Sequence, residues 1–314
     1  MIKTPICDLL GIEYPIFQGG MAWIADGKLA AAVSEGGGLG IIAAGNASAD
    51  YVREQIHIVR QLTDKPFGVN VMLMSPSVNE VAAVLAEEKV PVITTGAGNP
   101  GKHMKLWKEA GCKVIPVVAS VAMAKLMTRL GATALIAEGG ESGGHVGELT
   151  TMVLVPQVCD VTTLPVLAAG GIADGRGIAA AFMLGACGVQ VGTRFLVAEE
   201  CSVHPVYKEK ILKASDIATI TTGKRLGHPV RSLKTPFSRD YAKAEFSPIS
   251  DEELSGRATG ALRLAAKEGD VEHGCFLAGQ VAGMIHREQP AAEIIREMFD
   301  QAEPILKGAC QWVK

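Results

Sequence analysis

Short apolar runs recur along the first two thirds of the chain, their centres roughly 25 residues apart. Each run closes on glycine or a small polar residue, and each is followed by a stretch with helical spacing. The runs fall at 15–18, 40–43, 67–70, 90–94, 113–118, 134–137, 165–168 and 188–191, eight in all. The period is about what one strand, one helix and two loops require. The runs are apolar throughout rather than alternating, which marks strands buried on both faces and therefore a parallel sheet clothed in helices. Between them, 77–88 sets Val78, Val81, Val84 and Leu85 on one helical face, and the pattern over 175–184 stops at Gly185. An open doubly wound sheet commonly has five or six strands and one glycine-rich turn near its start. Here glycine closes several runs, so the pattern predicts a closed α/β architecture, the TIM (β/α)8 barrel. The 36 glycines and only 5% aromatic residues suit such a layered fold with many tight turns.

The beat stops near Phe195. From 200 to about 248 the chain turns polar and basic, with 217–222 its one strand-like piece. Helical patterning returns over 251–268, 275–288 and 291–302. This predicts a barrel over 1–199 and a smaller, mainly helical second domain over 200–285, packed above the barrel mouth. A last helix, within about 286–314, returns to the barrel wall. Seven cysteines with no C-x-x-C pair fit neither a disulfide framework nor a zinc site, and are expected to be reduced thiols. A net charge of −3 excludes nucleic-acid binding driven by bulk charge. No cationic start precedes an apolar run, and the longest apolar stretch, 178–191, is too short for a bilayer. A cytoplasmic protein with no membrane or nucleic-acid partner is the expectation.

In a barrel the working residues lie at the C-terminal strand ends. Ala169-Gly170-Gly171 follows the seventh run and Gly192-Thr193 the eighth, the two positions where barrels usually hold phosphate on backbone N–H groups. A side chain at those glycines would block close approach, and Thr193 adds a hydroxyl donor. After the sixth run, Glu138 opens a loop with four glycines ahead of His145, the one histidine of seven in such a setting. Imidazole there can act as a donor or an acid–base group near neutral pH. Glu138 and Glu141 could form a carboxylate pair, though orienting the loop or a ligand hydroxyl suits them better. Gln18-Gly19-Gly20-Met21 supplies bare backbone and an adaptable apolar side chain for a flat ring, while Asn70 and Gln190 offer amides to its polar edge. A planar phosphorylated cofactor follows, and FMN fits best. Pyridoxal phosphate would need a lysine at a strand end, and none is there.

These residues resemble a known family. PIFQGGM at 15–21, GVN at 68–70, EGGESGGHVG at 138–147, AAGGI at 168–172 and VQVGTRF at 189–195 are similar to the nitronate monooxygenase superfamily of FMN-dependent barrels. HPVR at 228–231 and FLAGQVAG at 276–283 extend the likeness toward its FabK-type enoyl-acyl-carrier-protein reductases of bacterial fatty-acid synthesis. The resemblance implies that NADH or NADPH reduces FMN, which reduces a trans-2-enoyl thioester at the β-carbon. It implies His145 as the catalytic residue near the substrate carbonyl, with Gly171, Gly192 and Thr193 on the phosphate. Gln18 to Met21, Asn70, Glu138 and Gln190 would surround the ring and ribityl chain. It also implies a homodimer and dependence on a monovalent cation, potassium or ammonium, with no site assigned. The alternatives it leaves are nitronate oxidation and quinone reduction. An acidic acyl carrier protein fits the charge distribution: 201–245 carries nine basic residues, among them Lys224, Arg225 and Lys234, against four acids.

Overall fold

A computed structural model of the chain describes residues 2–312. The strands in chain order are β1 (Ile16–Gln18), β2 (Gly40–Ala43), β3 (Phe67–Met72), β4 (Val92–Gly96), β5 (Lys113–Val118), β6 (Leu135–Glu138), β7 (Gly144–His145), β8 (Val166–Ala169) and β9 (Gly188–Val191). All but β7 form one parallel sheet of eight, in the order β1-β9-β8-β6-β5-β4-β3-β2. The expected eight runs are these eight strands. The sheet closes where β1 meets β2, through one parallel bridge between Phe17 and Leu39. A side chain completes that seam: Gln18 Oε1 accepts from the Ile41 N–H at 3.1 Å.

Phe17, Ile41, Val92, Ile115, Ile136 and Leu167 are buried together inside the barrel. Helix Pro5–Leu10 adds Ile6 and Leu10 to that cluster and stoppers the end where the strands begin. The other end is left for a ligand. Returning helices start on side-chain caps, among them Asp26, Ser48, Ser120 and Asp174, which accept from first-turn N–H groups. The last helix, Ala291–Lys307, buries Ile294, Ile295, Met298 and Phe299 against the wall. Positions 313–314 of its expected span lie outside the described residues. Its approach to helix Gly175–Met183 is so close that a Cβ on Gly175 would sit 2.4 Å from Gln301 Cβ.

The excursion after β9 differs from the pattern-based expectation. Helices Pro205–Leu212, Pro236–Ala244 and Asp251–Ala258 are present. Between them β10 (Thr219–Thr222) and β11 (Val230–Leu233) make an antiparallel hairpin, and β11 goes on to pair with β7. Only Gln280–Met284 of the expected helix at 275–288 is helical, as a single 3-10 segment. The reason is close backbone packing. A Cβ on Gly283 would lie 2.8 Å from the backbone of Ser215 and Asp216, so a regular helix with side chains all round does not fit there. Tyr207, Leu233, Ala265, Phe276 and Ala282 share one buried cluster with Val118, Ala168 and Val189 of the barrel. Excursion and barrel therefore have a common core.

Candidate active site

The strand ends enclose a cavity of about 270 Å³. Gly19, Gly20 and Met21 from β1, Asn70 from β3 and Glu138 from β6 line it. Ala169, Gly170 and Gly171 after β8, and Gln190, Gly192 and Thr193 at β9, complete the opposite wall. His145 lies on its rim. Gln18 is the exception among the sequence-predicted residues: it is fully buried, its amide donates to the Gly19 carbonyl and accepts at the β1–β2 seam, and it does not line the cavity.

Glycine is required at the floor. A Cβ on Gly20 would lie 2.3 Å from Asn70 Cβ, so bare backbone lets the amide side chain lie against it. Asn70 Nδ2 donates to Thr94 Oγ1 at 3.0 Å, which fixes that amide's orientation. Across the cavity, Gly170 and Gly171 are consecutive left-handed residues with φ of 90° and 75°. Only glycine takes two such steps in a row without strain. The N–H groups of Arg176 and Gly177 in the following helix are already bound by Asp174, so an anion there would meet the 170–172 turn and not the helix start. At Gly192 a Cβ would meet nothing closer than Met21 Sδ at 3.9 Å; the space is open. Thr193 Oγ1 accepts from the Gly279 N–H at 2.9 Å, leaving its own proton to donate.

Gln190 is buried and its Oε1 has no hydrogen-bond partner. A buried carbonyl left so costs on the order of 1–3 kcal/mol, and a donor entering the cavity would relieve it. Burial raises the Glu138 carboxyl to about 7; Ser142 nearby offsets part of this without full hydrogen-bond geometry. Glu141 has a different job. Its carboxylate accepts from the Thr151 N–H at 3.0 Å and caps helix Thr151–Cys159, so the two glutamates do not act as a pair.

His145 is held by β-pairing, opposite Val230 of β11. Loss of solvent at the rim and the neighbouring His228 keep its imidazole below the ordinary histidine value, so the ring is neutral at pH 7. The glycine loop before it is tied down by Arg231, which donates to the Gly140 carbonyl through Nε (3.2 Å) and Nη2 (2.9 Å). Sequence reasoning placed Arg231 in the HPVR motif and among the basic residues of 201–245, without this role. It also missed Leu277, Ala278 and Gly279, which line the cavity from the excursion, and Gly279 lies so near the glycine loop that a Cβ there would be 2.8 Å from the Glu141 carbonyl. Ala97, on the cavity wall, and Trp23, just beyond Met21, hold positive φ of 54° and 65°. Such strain in non-glycine residues gathers at functional sites, and no sequence signal marks it.

The arrangement is an anion cradle, a flat glycine-floored slot with unpaired amide acceptors, and one neutral imidazole on a rim held by β-pairing. The nitronate monooxygenase family model matches residues 3–88 and 79–301 of this chain. The structure of FabK from Thermotoga maritima superposes with a TM-score of 0.97 and 51% identity, covering 100% of both chains. A Mycobacterium tuberculosis protein named (3aS,4S,5R,7aS)-5-hydroxy-7a-methyl-1-oxo-octahydro-1H-indene-4-carboxyl-CoA dehydrogenase is 39% identical over 74% of this chain and 67% of its own. A probable nitronate monooxygenase of Staphylococcus aureus is 32% identical over 97% of this chain and 99% of its own. With a family model matched along nearly its whole length and relatives of this identity, the chain belongs to the nitronate monooxygenase family.

Proposed function

We propose that the chain is an FMN-dependent enoyl-acyl-carrier-protein reductase that uses NADH or NADPH. The observation that carries this reading is the full-length match to FabK at 51% identity. The relative whose name specifies a carboxyl-CoA substrate adds a second thioester-handling neighbour. The residues present fit FMN: a cradle at Gly171 and Gly192 that a side chain would fill, a hydroxyl donor at Thr193, and an orphaned Gln190 carbonyl suited to a ring N–H. Bound FMN supplies the hydride relay from nicotinamide to the enoyl β-carbon. The chain's own part is placement and charge. Gly171, Gly192 and Thr193 hold the phosphate, Gly19, Gly20 and Met21 lie against the ring, and Asn70 and Gln190 orient its polar edge. The neutral His145 ring donates to the thioester carbonyl oxygen as enolate-like charge develops there. Residues 200–285 act as a cap over the mouth, excluding water. A cytoplasmic homodimer acting in lipid synthesis, with a monovalent cation, belongs to the same reading.

Nitronate oxidation is the second reading, favoured by the family model and the Staphylococcus aureus relative. One anaerobic experiment separates them. NADH or NADPH should bleach the yellow holoprotein, and crotonyl-CoA should restore the colour. Flavin that stays oxidised under nicotinamide, in a protein that consumes oxygen with nitroalkanes, would overturn the reductase assignment.

A further inference from the structure

The cavity mouth is divided by chemistry. Among the described residues, the polar side chains that line it come from β6, β9 and the loop of β7, except Asn70, whose amide N–H is already given to Thr94. The strands β1 to β5 and their turns contribute Met21, Ala22, Met72, Ala97 and Val117. The sequence carries that division outward. No Asp, Glu, Lys or Arg occurs in 19–25, 44–49, 72–79, 96–101 or 119–124, the five turns that leave β1 to β5. The first charges beyond them, Asp26, Asp50, Glu80 and Lys102, cap or begin the returning helices, and Lys125 lies a turn into its own. Asp26 is engaged by the Lys28 and Leu29 N–H groups and by Ser202 Oγ at 2.7 Å, and Lys102 donates to Asn79 at 2.9 Å.

Four of these turns form one surface. A Cβ on Gly45 would lie 3.1 Å from Ala22 Cβ, Ser77 Oγ donates to the Ala47 carbonyl at 2.7 Å, and a Cβ on Gly98 would lie 2.9 Å from Leu73 Cβ. On that surface, outside the cavity lining, Trp23 and Met74 stand 43% and 59% exposed. Both are held. The Ile24 and Ala25 N–H groups donate to the Met21 carbonyl at 3.0 and 2.8 Å, closing the turn that keeps Trp23 at φ 65°. The Ser75 N–H donates to the Met72 carbonyl at 3.0 Å, closing the turn around Met74. Single exposed apolar residues need no explanation. Two fixed ones that continue an uncharged wall out of a cavity do.

The direction of the wall fits a substrate. In the closed order of the barrel β2 stands across the ring from β6, with β1 and β3 on its two sides. A thioester with its carbonyl at His145 and its β-carbon over the slot therefore sends the rest of its acyl group toward the turns after β1, β2 and β3. A flat ring in the slot accounts for Met21 and Met72, but not for Trp23 and Met74, which lie beyond it. We propose that the uncharged wall from Met72 and Ala97 out to Trp23 and Met74 is an acyl-chain subsite, which makes thioesters of about eight carbons or more the preferred substrates. The inference rests on the enoyl-thioester reading above and adds the length of the acyl group to it.

The test is calorimetry of butanoyl-CoA and octanoyl-CoA on FMN-loaded wild type, Met74→Asn and Trp23→Asn, asparagine being chosen because it tolerates the left-handed backbone at 23. Four more methylenes against a half-open wall should make wild type bind octanoyl-CoA about tenfold tighter or more, and each variant should cut that ratio to about threefold or less. The ratio of kcat/KM for trans-2-octenoyl-CoA over crotonyl-CoA should fall in parallel. A wild type without chain-length preference overturns the subsite, as do variants that keep the wild-type ratio. Loss of FMN from the variants would assign the wall to the flavin ring, and conversion of a wild-type dimer to monomer would assign it to a second copy; either result overturns the proposal. Crotonyl-CoA turnover without octanoyl preference would leave the reductase reading standing and remove the subsite. Octanoyl preference that depends on Trp23 and Met74, in a protein that reduces neither thioester, would uphold the subsite and sink the reductase reading instead.

Discussion

Glu138 ends β6 as a half-buried carboxyl on the cavity wall, and desolvation there raises it to about 7 from 4.5. The folded chain therefore keeps a proton that the unfolded chain loses. Stability contributed at this position is intact at acid pH and declines as pH rises from about 4.5 to about 7, then stays flat. In flavin-free protein Glu138→Gln should remove that slope, worth at most on the order of 3 kcal/mol, read as the urea midpoint across the window. A slope unchanged in the variant would mean the carboxylate is solvated after all. His145→Ala should keep the flavin and its anaerobic bleaching by nicotinamide, yet lose about 10²-fold in enoyl turnover. Equal loss of bleaching would move the histidine's role to the nicotinamide half-reaction. His145 was legible in the sequence because it alone among the histidines follows a glycine-rich loop at a strand end. Gln18 was not, because a strand-end amide facing a ligand and one stitching two strands have the same sequence.

The element that governs the rim is the three-stranded sheet of β10, β11 and β7, and Arg231 is its fastening. Arg231→Met should release the glycine loop. We expect faster amide exchange at Gly144 to Val146 and about a tenfold drop in kcat for enoyl reduction, at unchanged flavin content, for loss of a charged hydrogen-bonded pair. Lysine should rescue poorly, since it cannot present two N–H groups to one carbonyl in a fixed fork. If exchange accelerates without a fall in kcat, the loop's order is not used in turnover. The barrel strands were readable because burial on both faces leaves an unbroken apolar run. The β7 to β11 pairing was not: His145 faces Val230 across a long separation, and strands of two and four residues carry no alternation to detect. Over 275–288 the buried Phe276, Ala278, Val281, Ala282 and Ile285 gave apolar spacing without a helix, because Gly279 and Gly283 bring backbones into contact there.

At the scale of the molecule, the barrel depends on a helix that is contributed last. Ala291–Lys307 seats against Gly175–Met183 at glycine distance. Gly175→Val should force the two apart and cost about 1–3 kcal/mol, seen as a lower urea midpoint. Thioester KM should not move, since the contact is on the outer wall. The barrel itself was legible as a count of runs, whereas its means of closure was not. That closure has a consequence for how the chain is made. β1 has its full ladder with β9, Ile16 beside Val189, and only one bridge and one glutamine to its sequence neighbour β2. A nascent chain emerging at usual synthesis rates must wait on the order of ten to thirty seconds between these two strands. Through that interval β1 lacks the strand that carries its full ladder, so the barrel cannot close until Val191 has emerged.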